Sequence, residues 1–334
     1  MRGCPGNTPV AKITFTVRGR RRLVHLKLEG ANPCGSLKDR TAASLIADLE
    51  QRGALTAGST LVESTSGNLG IALAAIARRR GYRFVAVVDP KTTPENMRRL
   101  RRLGARVVCA DKPDAAGGYL LSRLERVHEL CASSDAVVWP DQYSNPANPR
   151  AHEQATAPEL LEQLGGDLDA VFVPVSTGGT LAGLARFLRR ESPATLVVAV
   201  DASGSIALGG RPGPRLLTGI GASRRSSFVT ADLYDRRVLV GDADAFAFCR
   251  ALSAATGIAL GGSGGATLAA CARVLAADPD LDRVACLCAD RGDAYRSTIY
   301  DDGWLAQHGV DPRSLHLGPV EAIVSAEAPV GAAV

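Results

Sequence analysis

Aromatic side chains make up only 4% of this 334-residue chain, which disfavours an aromatic-rich binding platform. Lysine is scarce too: five of the 39 basic residues are Lys and the rest are Arg. The arginines fall in scattered groups, Arg18 with Arg20 to Arg22, Arg78 to Arg80, Arg98 to Arg102, Arg189–Arg190 and Arg224–Arg225. A nucleic-acid binder gathers such charge on one face beside stacking aromatics. The expectation is therefore a solvated Arg-rich surface and no nucleic-acid partner. No stretch approaches the roughly 20 apolar residues of a membrane span. The start, Met1-Arg2-Gly3-Cys4-Pro5-Gly6, has no apolar signal-peptide core, so a cytoplasmic protein is expected. The eight cysteines form no C-x-x-C pair, which favours buried reduced thiols over zinc or disulfides. His25 and His152 lack a Cys or Asp at ligand spacing, so no metal is expected. Nor is there a nucleophile elbow G-x-S-x-G with a following Asp and His.

Glycine, by contrast, is abundant, at 35 residues, and hydrophobic residues reach 46%. That composition suits a compact α/β enzyme with many tight turns, and the length predicts two lobes or one large unit. Strand-like runs are expected at 24–28, 60–63, 84–88, 106–109, 136–138, 170–175, 196–200, 237–240 and 284–287. Helical patterns separate them, at 36–49, 68–79, 94–103, 116–131, 149–163, 179–189, 242–256 and 265–277. This alternation predicts parallel sheets covered by helices on both faces. The Ala/Val/Pro-rich residues from 320 to 334 read as a loose tail.

Four segments stand where strands meet helices. In Asn32-Pro33-Cys34-Gly35-Ser36-Leu37-Lys38-Asp39-Arg40, Lys38 arrives too late after the glycine for an ATP-binding P-loop. It falls in the first turn of a helix opened by Ser36, where a helix N-terminus lowers an amine's pKa; an exposed Lys is the alternative. Ser176-Thr177-Gly178-Gly179-Thr180 offers a cradle of N–H groups and hydroxyls to an anion. A dinucleotide fold with Asp201 as its ribose acid is a rival, but neither glycine frame gives G-x-G-x-x-G. A single-phosphate cofactor fits better. Gly261-Gly262-Ser263-Gly264-Gly265-Ala266 and Ser64-Thr65-Ser66-Gly67-Asn68 each open a helix; each either binds an anion or merely turns and caps the chain.

The order N-P-x-G-S-x-K-D-R, T-S-G-N, Q-Y-S-N-P-A-N-P, S-T-G-G-T and G-G-S-G-G-A resembles the fold-type II pyridoxal-phosphate enzymes, and within them the cysteine synthase and cystathionine β-synthase group. The likeness runs from Gly6-Asn7-Thr8-Pro9 to about Tyr295. It implies two parallel-sheet domains of the tryptophan synthase β-like kind, a smaller one at 35–146 and a larger one at 1–34 plus 147–319. It also implies pyridoxal 5′-phosphate as cofactor, amino-acid substrates and a homodimer. Lys38 would be the Schiff-base lysine and the base at the substrate Cα. Ser176, Thr177, Gly178, Gly179 and Thr180 would cradle the phosphate, Asn68 would bond the 3′ oxygen, and Ser263 the pyridine nitrogen. Thr65, Ser66 and Gln142 would hold the substrate carboxylate. A hydroxyl at the pyridine nitrogen makes a weak electron sink, which favours loss of a β-leaving group to an aminoacrylate, with ping-pong kinetics.

Three departures from the cysteine synthase pattern stand out: Leu69 after T-S-G-N, Asp290-Arg291-Gly292-Asp293-Ala294-Tyr295 in place of an S-S-G-E-R-Y type of ending, and Ala222 to Phe228 in place of an apolar loop. They resemble the branch that joins O-phospho-L-serine and L-glutamate into N-(2-amino-2-carboxyethyl)-L-glutamate, for 2,3-diaminopropionate in secondary metabolism. Arg215, Arg224, Arg225 and Arg291 are cations suited to a phosphate leaving group or a dicarboxylate; Arg224 and Arg225 are expected at the acceptor. The rivals are a cysteine synthase using O-acetyl-L-serine and sulfide, an idle homologue serving as a binding partner, and a nicotinamide oxidoreductase.

Overall fold

The computed structural model describes residues 3–113 and 118–325. Two antiparallel strands, β1 (Val10–Val17) and β2 (Arg20–Leu28), begin the chain, and α1 (Lys38–Gln51) follows. Next come β3 (Thr60–Ser64), α2 (Asn68–Arg80), β4 (Arg83–Val88), α3 (Pro94–Arg102), β5 (Arg106–Cys109), α4 (Leu120–Ala132) and β6 (Val137–Val138). The third stretch holds α5 (Ala147–Ala151), α6 (Ala157–Gln163), β7 (Ala170–Pro174), α7 (Gly179–Glu191), β8 (Leu196–Ala202) and β9 (Arg236–Val240). Finally α8 (Asp242–Thr256), α9 (Gly262–Ala277), β10 (Val284–Cys288), α10 (Asp302–Gln307) and β11 (Val320–Ser325) complete the described chain.

The strands form two sheets. One has the order β11-β1-β2-β10-β7-β8-β9 and the other β5-β4-β3-β6. Within the first, β2, β10, β7, β8 and β9 run parallel, and the second is parallel throughout. Helices cover both faces of such sheets, so the central strands read as unbroken apolar runs. VACLC in β10 and AVFVP in β7 are buried at every position. Helix α2 is buried from Leu69 to Ala77 because small Ala and Gly residues let neighbours close on every side.

Two strands differ from expectation. β1 was not among the predicted strands, although VAKITFTV pairs along its whole length with β2. Residues 320–325, read from the sequence as part of a loose tail, form β11 and pair antiparallel with β1 from Ile13 to Val17. Val320 and Ile323 are the buried side chains that hold it there. The rest of that expected tail, 326–334, lies outside the described residues, as do the first two positions of the expected helix 116–131.

Many arginines serve helix ends. Arg78, Arg79 and Arg80 occupy the last turn of α2, Arg99, Arg101 and Arg102 that of α3, and Arg189 and Arg190 that of α7. Positive charge there complements the macrodipole. Among the described residues, no helix is long and apolar enough to cross a membrane.

Candidate active site

Lys38 is the first residue of α1, and everything around it is fixed. Gly35 takes a left-handed turn at φ 92°. Ser36 pairs with Asp290 in an antiparallel bridge, Leu37 N–H donates to the Ala289 carbonyl at 2.8 Å, and Lys38 N–H donates to Ser36 Oγ at 3.2 Å. The helix therefore starts at Lys38, two residues later than the sequence suggested, and Ser36 braces it from outside. Asp39 accepts from Cys34 N–H at 2.9 Å. Arg40 is locked to buried Glu29 (2.8 Å) and to Glu159 (2.9 Å). Between these anchors the half-buried Lys38 has no hydrogen-bond or ion-pair partner for Nζ among the described residues. Burial lowers its amine from the ordinary lysine value, and the Asp290 charge opposes that shift.

The Ser176–Thr180 segment links β7 to α7. Gly178 caps α7 in the left-handed region at φ 89°, so the first N–H groups of the helix are left without intrahelical partners. A Cβ on Gly179 would lie 2.1 Å from Asn148 Oδ1, and one on Gly178 would lie 2.0 Å from Ser226 Oγ. Asn148 also donates to Thr177 Oγ1 at 3.1 Å, Ser226 donates to the Thr177 carbonyl at 2.7 Å, and Ser176 donates to the Gly221 carbonyl at 3.1 Å.

His152 ties this loop to the lysine helix. Its Nε2 lies 3.1 Å from Thr41 Oγ1 and 3.3 Å from Thr180 Oγ1, and its Nδ1 lies 3.0 Å from Thr156 Oγ1. Burial, with the charges of Lys38 and Arg40, pushes the imidazole well below its ordinary pKa, so it stays neutral. Residues His152–Thr156 form a π-helical turn between α5 and α6, a widening that often marks functional positions. His152, considered above as a metal ligand without partners at ligand spacing, has hydroxyls as its partners in the fold.

Asn68 opens α2 and donates through Nδ2 to Asp290 Oδ2 at 2.7 Å. Tyr295 donates to the same oxygen at 2.6 Å. Asp290 Oδ1 is buried and has no partner among the described residues; a Cβ on Gly261 would lie 2.1 Å from it. Burial raises the Asp290 carboxyl, while the bonds from Tyr295 and Asn68 and the Lys38 charge pull it back down. Ser263, buried in the first turn of α9, has no hydrogen-bond partner for its hydroxyl among the described residues. Thr65 Oγ1 accepts from Gly70 N–H at 2.9 Å, and the Ser66 carbonyl accepts from Asn96 Nδ2 at 3.0 Å. Gln142 donates through Nε2 to the Ser64 carbonyl at 3.1 Å and through N–H to Glu63 at 3.2 Å. Burial pushes Glu63 up to about 8 against bonds from Trp139 and Gln142. Asn148 donates to the Gln142 carbonyl at 2.7 Å. Asn148 thus joins one of the carboxylate-binding candidates, Gln142, to Thr177 of the anion loop.

The two adjacent arginines part company. Arg224 lies 5.1 Å over the Tyr143 ring, next to Gln142. Arg225 is exposed and reaches Gly209 instead. Arg215 donates to the Gly204 carbonyl at 3.1 Å. Arg291 packs on Gly35 and, with Cys34, Asn68, Arg99 and Asp290, lines a cavity of about 230 Å³. Arg99 donates to the Cys34 carbonyl at 3.0 Å. No motif marked Arg99, and Asn148, though inside Q-Y-S-N-P-A-N-P, was given no role there, because each meets its partners only through the fold. Asp201, the ribose acid of the dinucleotide alternative, is buried and accepts from its neighbour Ala202 N–H at 2.8 Å.

A phosphorylated pyridine aldehyde fits this donor set. An unpaired amine, free helix N–H groups, a partnerless buried hydroxyl and an amide of fixed orientation are the groups it needs. Comparison with known proteins agrees. A family profile described as pyridoxal-phosphate dependent enzyme matches residues 1–290. The N-(2-amino-2-carboxyethyl)-L-glutamate synthases of Ralstonia nicotianae and Cupriavidus metallidurans are 44% and 42% identical to this chain. The matches cover 91% and 90% of it, and 90% and 89% of those proteins. An O-acetylserine dependent cystathionine beta-synthase from Helicobacter pylori has a similar structure, with TM-score 0.81 and 32% identity, covering 89% of this chain and 97% of that one. An O-ureido-L-serine synthase gives TM-score 0.80 and 34% identity, covering 91% and 97%.

Proposed function

The chain belongs to the pyridoxal-phosphate dependent enzyme family, and from that premise we propose that it joins O-phospho-L-serine to L-glutamate, releasing phosphate and forming N-(2-amino-2-carboxyethyl)-L-glutamate. The coarser chemistry, pyridoxal-phosphate dependent β-replacement on serine, is that of its relatives. One observation carries the finer reading: two synthases named for that product match about nine tenths of the chain. A glutamate nitrogen bearing a 2-amino-2-carboxyethyl group arises when glutamate's amine replaces the leaving group of a serine.

Bound pyridoxal 5′-phosphate supplies the electron sink that makes the donor's Cα acidic and its β-bond breakable. In this reading Lys38 Nζ holds the cofactor's carbonyl carbon and then takes the Cα proton. Its lowered pKa supports both roles, since each needs the neutral amine. The N–H groups and hydroxyls of Ser176, Thr177, Gly178, Gly179 and Thr180 hold the phosphate, Asn68 the 3′ oxygen and Ser263 the ring nitrogen. Thr65, Ser66 and Gln142 hold the donor carboxylate. We assign Arg224, over the Tyr143 ring beside Gln142, to the donor's phosphate in place of the acceptor, and leave Arg225, exposed and turned to Gly209, out of the proposed site. The enzyme acts in the cytoplasm as a homodimer, with a smaller domain at 35–146.

The test crosses O-phospho-L-serine, O-acetyl-L-serine and L-serine with L-glutamate and sulfide, reading products by mass spectrometry. The expected pair is phosphoserine with glutamate. Cysteine from acetylserine and sulfide, with no product from glutamate, overturns the reading.

A further inference from the structure

An amine acceptor poses a problem that sulfide does not. At neutral pH it arrives as an ammonium and must lose a proton before its lone pair can attack. Under the proposed function, Lys38 already holds the proton removed from the donor's Cα, so a second titratable group is required. Asp290 has that position. It is buried, interacts electrostatically with Lys38, and lines the cavity with Asn68 and Gly35. Oδ2 is taken by Asn68 and Tyr295, while Oδ1 has no partner. A buried carboxylate oxygen without a donor costs free energy unless something fills the place.

The same cavity carries charge of both signs. Arg99 and Arg291 line it together with Glu95 and Asp293. Glu95 is engaged by Arg98 at 2.6 Å, and Asp293 by Arg296 at 3.3 Å and, more loosely, by Arg291 at 3.9 Å, a contact an incoming carboxylate would displace. An amino acid with an ammonium and more than one carboxylate matches such a lining.

We propose that Asp290 takes the proton from the ammonium of the incoming acceptor, and that Arg99 and Arg291 hold that acceptor's carboxylates in the cavity Asp290 lines. This rests on the reading of an amino-acid acceptor given above. The step balances. An N–H bond of the ammonium breaks and its proton goes to Asp290. The freed lone pair forms the N–C bond to the donor's β-carbon, from which phosphate has departed with the C–O electron pair. The Cα regains its proton from Lys38, and Asp290 returns its own to solvent as product leaves. Burial raises the Asp290 carboxyl above its ordinary value, against the bonds from Tyr295 and Asn68 and the Lys38 charge, which makes it a better base than an exposed aspartate.

The test uses holoenzymes of wild type, Asp290→Asn, Asp290→Ser and Asp290→Glu, compared at equal bound cofactor read from visible absorbance. The donor is phosphoserine; the acceptors are glutamate and sulfide, which as hydrosulfide needs no proton removed before it attacks. In the Asn and Ser variants the glutamate step should fall ~100-fold relative to the sulfide step. The gap should narrow as pH rises and free amine accumulates, and Glu should restore part of it. Arg99→Ala should raise the KM for glutamate ~10-fold. Equal losses with both acceptors, or a loss independent of pH, overturn the assignment and leave Asp290 a structural residue. A wild type that forms no glutamate adduct overturns the substrate reading, and this assignment with it. A wild type that does form it, matched by Asp290→Asn, overturns the assignment alone.

Discussion

A methyl group on residue 178 would meet Ser226 Oγ at 2.0 Å and Val229 Cγ2 at 2.7 Å, in a backbone conformation that side chains rarely adopt. Gly178→Ala should therefore weaken pyridoxal 5′-phosphate binding to apoprotein by ~10-fold or more, measured by absorbance titration. Adding Ser226→Gly should recover part of the loss, because it removes the collision with Ser226 and leaves the contact with Val229 and the backbone strain. Gly178 and its hydroxyl neighbours were legible in the sequence, since a glycine pair between an apolar strand and a helix has few other uses. What the glycines make room for was not: Asn148 and Ser226 come from distant segments. Asp290 stood out in the sequence as a departure from pattern, but its partner Asn68 lies 222 residues away, so its place in the site could not be read there.

Helix α6 contributes little to the site directly, yet its Glu159 gathers Arg40 and Lys27 behind the lysine helix. Burial alone would raise this carboxyl; the bonds from Arg40 and Lys27 outweigh burial and hold it at about 2, against 4.5 unperturbed. A depressed carboxyl contributes stability that is fully present above its unfolded value and lost as pH falls through the folded one. Wild-type stability should thus decline between about pH 4.5 and 2 through this group. Glu159→Gln should be less stable by about 3 kcal/mol at neutral pH and show a shallower decline in that window, measured by denaturant titration at a series of pH values. The helix containing Glu159 was expected as one element. Its π-helical turn was not; within that turn His152 meets hydroxyls of two other elements, Thr41 and Thr180, contacts that no local pattern shows. β1, by contrast, was legible: Ile13-Thr14-Phe15-Thr16-Val17 alternates apolar and polar residues as a strand does, although Thr14 is buried as well.

Across the whole molecule, the alternation of strands and helices announced parallel sheets, while the order of strands within them was invisible. β11 is the clearest case, since a strand at the far end of the described chain closes the edge beside β1. A chain ending after Pro319 loses the burial of Val320 and Ile323 and opens that edge to other molecules. Its melting midpoint should drop by roughly 5 °C or more, read by calorimetry, with aggregation on heating.

Strand order also sets a timetable for synthesis. β10 lies between β2 and β7, yet β2 is complete at Leu28 and β10 begins only at Val284. All four strands of the smaller sheet, by contrast, have emerged by Val138. A growing chain on the ribosome therefore finishes one sheet early and carries the other with a gap at its centre until β10 has been made. Two apolar strand edges stay open throughout that interval, which gives a nascent-chain chaperone a defined surface to guard and a defined moment to let go.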